Sequence, residues 1–202
     1  MAAIVVPFRG SSGGKQRLAG IGKEFHRAVV LAMLADVLTA TTQVGRTVVV
    51  TADEDGRRIA TEAGAKVVDD PGGGQGSAVA AAIGLLGAEG VLIVNADVPC
   101  VAPYDLRSLL AATPLGGIAL VASEDGRTNA LSLPAPHLFE PLYGPRSAER
   151  FQRAARDLGL EAVVLAVPNL ADDVDTPDDL ERVRLRAGLH TQAALQRLKR
   201  AS

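Results

Sequence analysis

Short apolar runs alternate with longer amphipathic ones along the chain. Ala3 to Val6, Thr47 to Thr51, Lys66 to Val68 and Val91 to Val94 are brief and rich in β-branched residues, and they read as strands. Between them, Val29, Val30, Met33, Leu34, Val37 and Leu38 recur at helical spacing. Asp53 to Ala63 predicts a short helix closed by Gly64, and Ser77 to Leu86 an alanine-rich one. Continuous apolar strands separated by helices predict a mostly parallel sheet covered on both faces. The second half is less regular. It predicts helices over Asp105 to Ala112 and Ser147 to Leu158, and strands over Ile118 to Ala122, Asn129 to Leu133 and Ala162 to Ala166. Thr176 and Pro177 open another helix with Asp178, Asp179 and Glu181 in its first turn.

With 202 residues and neither a repeat nor a long linker, the chain is expected to form a single domain over 1–202, ending in a basic amphipathic tail over 189–202. That tail reads first as a solvated or packing helix and second as a contact for a homodimer. No apolar run approaches the roughly 20 residues of a membrane helix, and Pro7 cuts short the first apolar run, so neither a membrane partner nor a signal peptide is expected. The lone Cys100 excludes an internal disulfide and fits a reducing, cytoplasmic setting. A formal charge of −2 and an absence of tryptophan argue against a nucleic-acid partner. The histidines His26, His137 and His190 are scattered and are expected to bind nothing.

Three stretches carry candidate chemistry. The first follows the opening strand: Pro7-Phe8-Arg9-Gly10-Ser11-Ser12-Gly13-Gly14-Lys15-Gln16-Arg17-Leu18. Gly10, Ser11 and Gly14 let backbone N–H groups approach phosphate oxygens, and Lys15 and Arg17 add two cations. It is not a P-loop, because Gln16 stands where Ser or Thr would follow the lysine. The second is Asn95-Ala96-Asp97-Val98-Pro99, directly after the most apolar strand. A carboxylate there is costly unless it meets a cation or donors, which suits a Mg²⁺ ligand. The third is Asp172-Asp173-Val174-Asp175-Thr176-Pro177. Its acids repel one another, and Asp173 and Asp175, two apart, face the same way on an extended segment. Lesser candidates are the glycine-rich loop Asp70-Pro71-Gly72-Gly73-Gly74-Gln75-Gly76-Ser77 and the turns at Thr128-Asn129 and Tyr143-Gly144-Pro145-Arg146-Ser147. Ser147 is expected at a helix N-terminus, its hydroxyl and the neighbouring N–H groups open to an anion, or else as an ordinary N-cap serine.

In order and spacing these stretches resemble the 2-phospholactate/phosphoenolpyruvate guanylyltransferases of coenzyme F-420 biosynthesis. The resemblance runs from the first strand to about Arg186. It rests on Gly14-Lys15-Gln16-Arg17-Leu18-Ala19, Asn95-Ala96-Asp97-Val98-Pro99, Thr128-Asn129-Ala130-Leu131, Tyr143-Gly144-Pro145-Arg146-Ser147 and Asp173-Val174-Asp175-Thr176-Pro177. It implies a three-layer α/β/α, GT-A-like (Rossmann-like) nucleotidyltransferase fold with a mostly parallel mixed sheet. It further implies GTP and a small phosphorylated carboxylic acid as substrates, with Mg²⁺ as the metal. Asp97, Asp173 and Asp175 would then hold metal. Lys15 and Arg17 would contact the triphosphate, with Gly10, Ser11, Gly14, Asp70, Gly76 and Ser77 around the nucleotide. Thr128, Asn129, Gly144 and Ser147 would bind the acid. Two departures, Asn95-Ala96 before the acidic residue and Gly76-Ser77 in the nucleotide loop, bear on base choice. A molybdopterin nucleotidyltransferase and a non-catalytic nucleotide-binding module are the alternatives.

Overall fold

The computed structural model describes residues 2–10, 22–87 and 89–201, with side chains described as far as Arg197. Among the described residues, the strands are β1 (Ala3–Pro7), β2 (Thr47–Val50), β3 (Lys66–Val68), β4 (Val91–Val94), β5 (Gly117–Ala122), β6 (Thr128–Leu133) and β7 (Glu161–Val164). The helices are α1 (Lys23–Thr41), α2 (Glu54–Glu62), α3 (Gln75–Ile83), α4 (Pro103–Ala111), α5 (Ser147–Asp157), α6 (Pro168–Ala171), α7 (Pro177–Val183) and α8 (Leu189–Ala201). They form one seven-stranded sheet in the order β3-β2-β1-β4-β6-β5-β7. Only β6 runs against its neighbours, pairing antiparallel with β4 and β5.

Alternation along each strand builds the layers. Ile4, Val6, Leu92 and Val94 face one side and join Val29, Met33, Leu34 and Val37 of α1 and Leu106 and Leu109 of α4. Val5, Val91 and Ile93 face the other, against Ala78, Val79 and Ala82 of α3 and Phe151 and Ala155 of α5. Two cores on opposite faces of one sheet make the expected three-layer α/β/α architecture. Short α6 escaped the sequence reading, since four residues cannot carry a helical period.

Strand order reverses beside β1: β2 and β3 lie to one side, β4 to the other. The loops after β1 and β4 therefore open a crevice at the sheet's C-terminal edge, where such sheets bind ligands. Antiparallel β6 presents its first residues, Thr128 and Asn129, to the same edge, because Val94 pairs with Ala130.

The basic tail is a packing helix. Buried Asp36 of α1 accepts from the backbone N–H groups of His190 (3.0 Å) and Thr191 (2.9 Å), capping α8 across the chain. Gly188 is required there, since a Cβ would lie 2.3 Å from Asp36 Oδ1. No helix among the described residues is long and apolar enough to cross a membrane.

Candidate active site

The acidic site is built by one backbone stitch. The Val174 N–H donates to the Asp97 carbonyl at 3.0 Å, bringing the segment before α7 against the loop after β4. Val174 is fully buried, so the two acids flanking it turn the other way. Asp97, Asp173 and Asp175 each offer a carboxylate oxygen within 4.8 Å of the others. An octahedral Mg²⁺ holds oxygens about 3–4 Å apart at its ~2.1 Å bond length, so small side-chain rotations make this all-oxygen cluster fit that ion. The third acid of the run, Asp172, does not join. It pairs with Arg186 and lies 3.8 Å from Arg182 Nε. Arg127 borders the cluster, 3.9 Å from Asp175 and 3.2 Å from Asp125.

Asp179 supports the cluster from the first turn of α7. Its Oδ2 accepts from the N–H groups of Asp175 (3.1 Å) and Thr176 (2.8 Å) and from the Thr176 hydroxyl (2.8 Å). Thr176 returns the bond to the Asp179 N–H, completing a capping box. Burial alone would raise the Asp179 carboxyl. The donors at Thr176 and Asp175, with Arg182, outweigh it and hold the group below the usual aspartate range.

Behind the cluster runs a line of side-chain amides. Gln75 Nε2 donates to Asn95 Oδ1 at 2.6 Å. Asn95 Nδ2 donates to Asn129 Oδ1 and to the Thr128 carbonyl, both at 3.3 Å. Asn129 Nδ2 donates to the Ala171 carbonyl (3.1 Å) and to Asp173 Oδ1 (3.2 Å). Asn129, expected beside the substrate, engages its amide with the metal-ligand candidate Asp173. Gln75 and Asn95 were not singled out as side chains. Their signal was position: the first long polar residue after a glycine run, and the polar residue ending the most apolar strand.

The other sequence candidates settle as follows. Ser11, Gly14, Lys15 and Arg17 lie outside the described residues. Gly10 has φ +67° and abuts Asp53, where a Cβ would come within 2.4 Å of Oδ2. That carboxylate caps α2 through the Gly56 N–H and receives Arg27 at 3.2 Å, which also bonds Asp55 at 2.5 Å. An Arg–Asp network thus underlies the start of the first loop. Asp70 turns the second loop by accepting from the Gly72 N–H at 2.8 Å. Gly72, Gly73 and Gly74 all have positive φ, and Gly74 leaves α3 without a side-chain cap. Gly76 makes a close approach, since a Cβ would lie 2.7 Å from Pro141 Cβ; Ser77 sits one residue on, under Gly73.

The acceptor-side expectations need one correction. Ser147 is fully buried, and its hydroxyl donates to Thr128 Oγ1 at 3.0 Å, joining α5 to β6. The N-cap is Arg146 in the left-handed region, not Ser147. The Ser147 and Ala148 N–H groups donate to the Gly144 and Gly126 carbonyls, so they are not open to an anion. The turn at Gly126 packs against the helix start and takes the second of them. Gly144 has φ +118° and lies under Arg150, whose Nη2 donates to the Tyr143 carbonyl at 2.9 Å.

Comparison with known proteins shows what the chain as a whole resembles. A family model described as "Guanylyl transferase CofC like" matches residues 2–200. A phosphoenolpyruvate guanylyltransferase of Conexibacter woesei is 36% identical, the match covering 98% of this chain and 96% of that one. A 3-phospho-D-glycerate guanylyltransferase of Phenylobacterium zucineum is 32% identical over 98% of this chain and 97% of that one. A crystal structure from Desulfovibrio desulfuricans G20, described as a nucleotide-diphospho-sugar transferase, superposes with a TM-score of 0.79 over 98% of this chain and 95% of its own. At 17% identity that likeness speaks for the fold alone.

Proposed function

Because the chain belongs to the CofC-like guanylyl transferase family, we propose that it transfers GMP from GTP to the phosphate of a small phosphorylated carboxylic acid, releasing pyrophosphate. Phosphoenolpyruvate is the first-choice acceptor, with 2-phospho-L-lactate and 3-phosphoglycerate as the alternatives, and the pathway served is coenzyme F-420 biosynthesis. The observation that carries the reading is the meeting of Asp97, Asp173 and Asp175 at the switch point of the sheet.

An acceptor phosphate is already an oxyanion, so no side-chain base is needed. Its oxygen attacks the α-phosphorus, a new P–O bond forms in line, and the bond to the β-phosphate oxygen breaks to release pyrophosphate. The obstacle is charge. At ~4 Å two unit charges repel by about 4 kcal/mol at an effective dielectric near 20, and a triphosphate meeting a phosphate multiplies this. Mg²⁺, if held by the three aspartates, would supply the neutralising charge. Asp97, Asp173 and Asp175 hold the cation site, and Asp179 fixes the backbone that carries Asp175. By the resemblance, Lys15 and Arg17 would contact the triphosphate, and Gly10, Ser11, Gly14, Asp70, Gly76 and Ser77 would lie around the nucleotide. The acid would be received beside Thr128, Asn129, Gly144 and Ser147, with the buried Thr128–Ser147 hydroxyl pair bracing that wall from behind rather than touching the acid.

The test is a matrix of nucleotides and acceptors read by pyrophosphate release. GTP with one of the three acids and Mg²⁺ should give turnover, and each component alone should give none. Tight GTP binding without release under any acceptor would overturn the reading.

A further inference from the structure

The amide line behind the aspartates has a direction, and that direction is fixed by chemistry. The Ala171 carbonyl and the Asp173 carboxylate are acceptors, so Asn129 must turn its NH₂ toward them. Its Oδ1 then faces Asn95, which must answer with NH₂, as the Thr128 carbonyl beside it also demands. Asn95 Oδ1 is left facing Gln75, which must donate. Asn129 is 1% exposed, and both its amide hydrogens and its oxygen are engaged, so its side chain has one satisfied arrangement. The line starts at the first residue of α3, immediately after three glycines of positive φ, and ends on a carboxylate of the acidic cluster.

We propose that Gln75 and Asn95 are positioning residues that act through Asn129 to hold Asp173 in its metal-ligating orientation. The proposal rests on the assignment of Asp97, Asp173 and Asp175 as a divalent-cation site. Groups bonded to a ligand orient it and tune its affinity, and losing them typically weakens metal binding by about 10–100-fold. Here the polarity of the line makes the charge-changing variant decisive. In Asn95→Asp, residue 95 still accepts from Gln75 but can no longer donate to Asn129. Two oxygens then face each other, and relief comes from turning the Asn129 amide, which aims its oxygen at Asp173. The added negative charge would by itself attract a cation. Electrostatics and the relay therefore predict opposite signs.

The experiment measures Mn²⁺ binding to the free chain by electron paramagnetic resonance, for the parent, Gln75→Ala and Asn95→Asp, with thermal unfolding of the metal-free proteins beside it. The expected result is a dissociation constant raised about tenfold in Asn95→Asp and about threefold in Gln75→Ala. Turnover should return to within about twofold of the parent when Mg²⁺ saturates, a KM effect rather than a kcat effect. Equal or tighter Mn²⁺ binding in folded Asn95→Asp overturns the relay. Should that variant fail to fold, Gln75→Ala decides alone, parental affinity refuting the proposal. A parent that binds no Mn²⁺ overturns the cation site itself, and the relay with it.

Discussion

Replacing Asp97 by Asn should make the metal-free protein more stable and its response to Mg²⁺ weaker. The three carboxylate oxygens lie within 4.8 Å of one another. One pair of unit charges at that distance repels by about 3.5 kcal/mol at an effective dielectric of 20. Asp97 takes part in two of the three pairs. Each charge is spread over two oxygens, Asn129 donates to Asp173, and Arg127 lies 3.9 Å from Asp175. These offsets reduce the net relief to about 1–2 kcal/mol. For a chain of 202 residues, each kcal/mol moves the melting temperature by about 2–4 °C. Scanning calorimetry in chelator should therefore place Asp97→Asn about 2–8 °C above the parent. Adding Mg²⁺ should raise the parent's melting temperature and leave the variant's nearly fixed, because ligand binding stabilises only the form that binds. A variant less stable than the parent without metal, yet equally stabilised by Mg²⁺, would refute the reasoning.

Asp36→Ala should remove the cap on α8 and destabilise by about 2–4 kcal/mol in urea, since a buried carboxylate accepts two N–H groups there. Asp179→Asn should cost about 1–2 kcal/mol at neutral pH through the capping box. A carboxyl held low in the folded state contributes its full stabilisation above the usual aspartate range and loses it as the pH falls through its lowered value. The gap between parent and Asp179→Asn in urea titrations should accordingly close toward low pH. Burial pushes the Cys100 thiol up to about 11, so at pH 8 a disulfide reagent should modify it far more slowly in the folded protein than in urea.

Much of the site was legible because its chemistry is local. Asp97 ends an apolar strand, and Asp173 and Asp175 flank a buried valine, so each part announced itself within a few residues. What decided the rest acts across the chain. Nothing near Asp172 distinguishes it from its neighbours; Arg182 and Arg186, on and beyond α7, draw it away from the cluster. Ser147 read as an open anion site or an N-cap serine, and is neither, because the Gly126 carbonyl that occupies the next N–H comes from a distant turn and the cap falls on Arg146. The tail read as a solvated or packing helix, and what decides for packing is distant in sequence: Ala194 and Leu195 lie against the core and Asp36 of α1 caps its start. Asn129 shows the same limit at the level of one side chain. Its place beside the site was readable, but its partner, Asp173, is set by how β6 enters the sheet against β4.

The central claim is that a cation held by these three aspartates lets two phosphate-bearing substrates react. Phosphorus NMR of GTP, phosphoenolpyruvate and Mg²⁺ with the parent, and again with Asp97→Ala, tests it most directly. The account predicts a new pair of coupled anhydride resonances together with pyrophosphate for the parent, and unchanged GTP for a folded Asp97→Ala. Anhydride formation at the parental rate in that variant, with Mg²⁺ saturating, would contradict it.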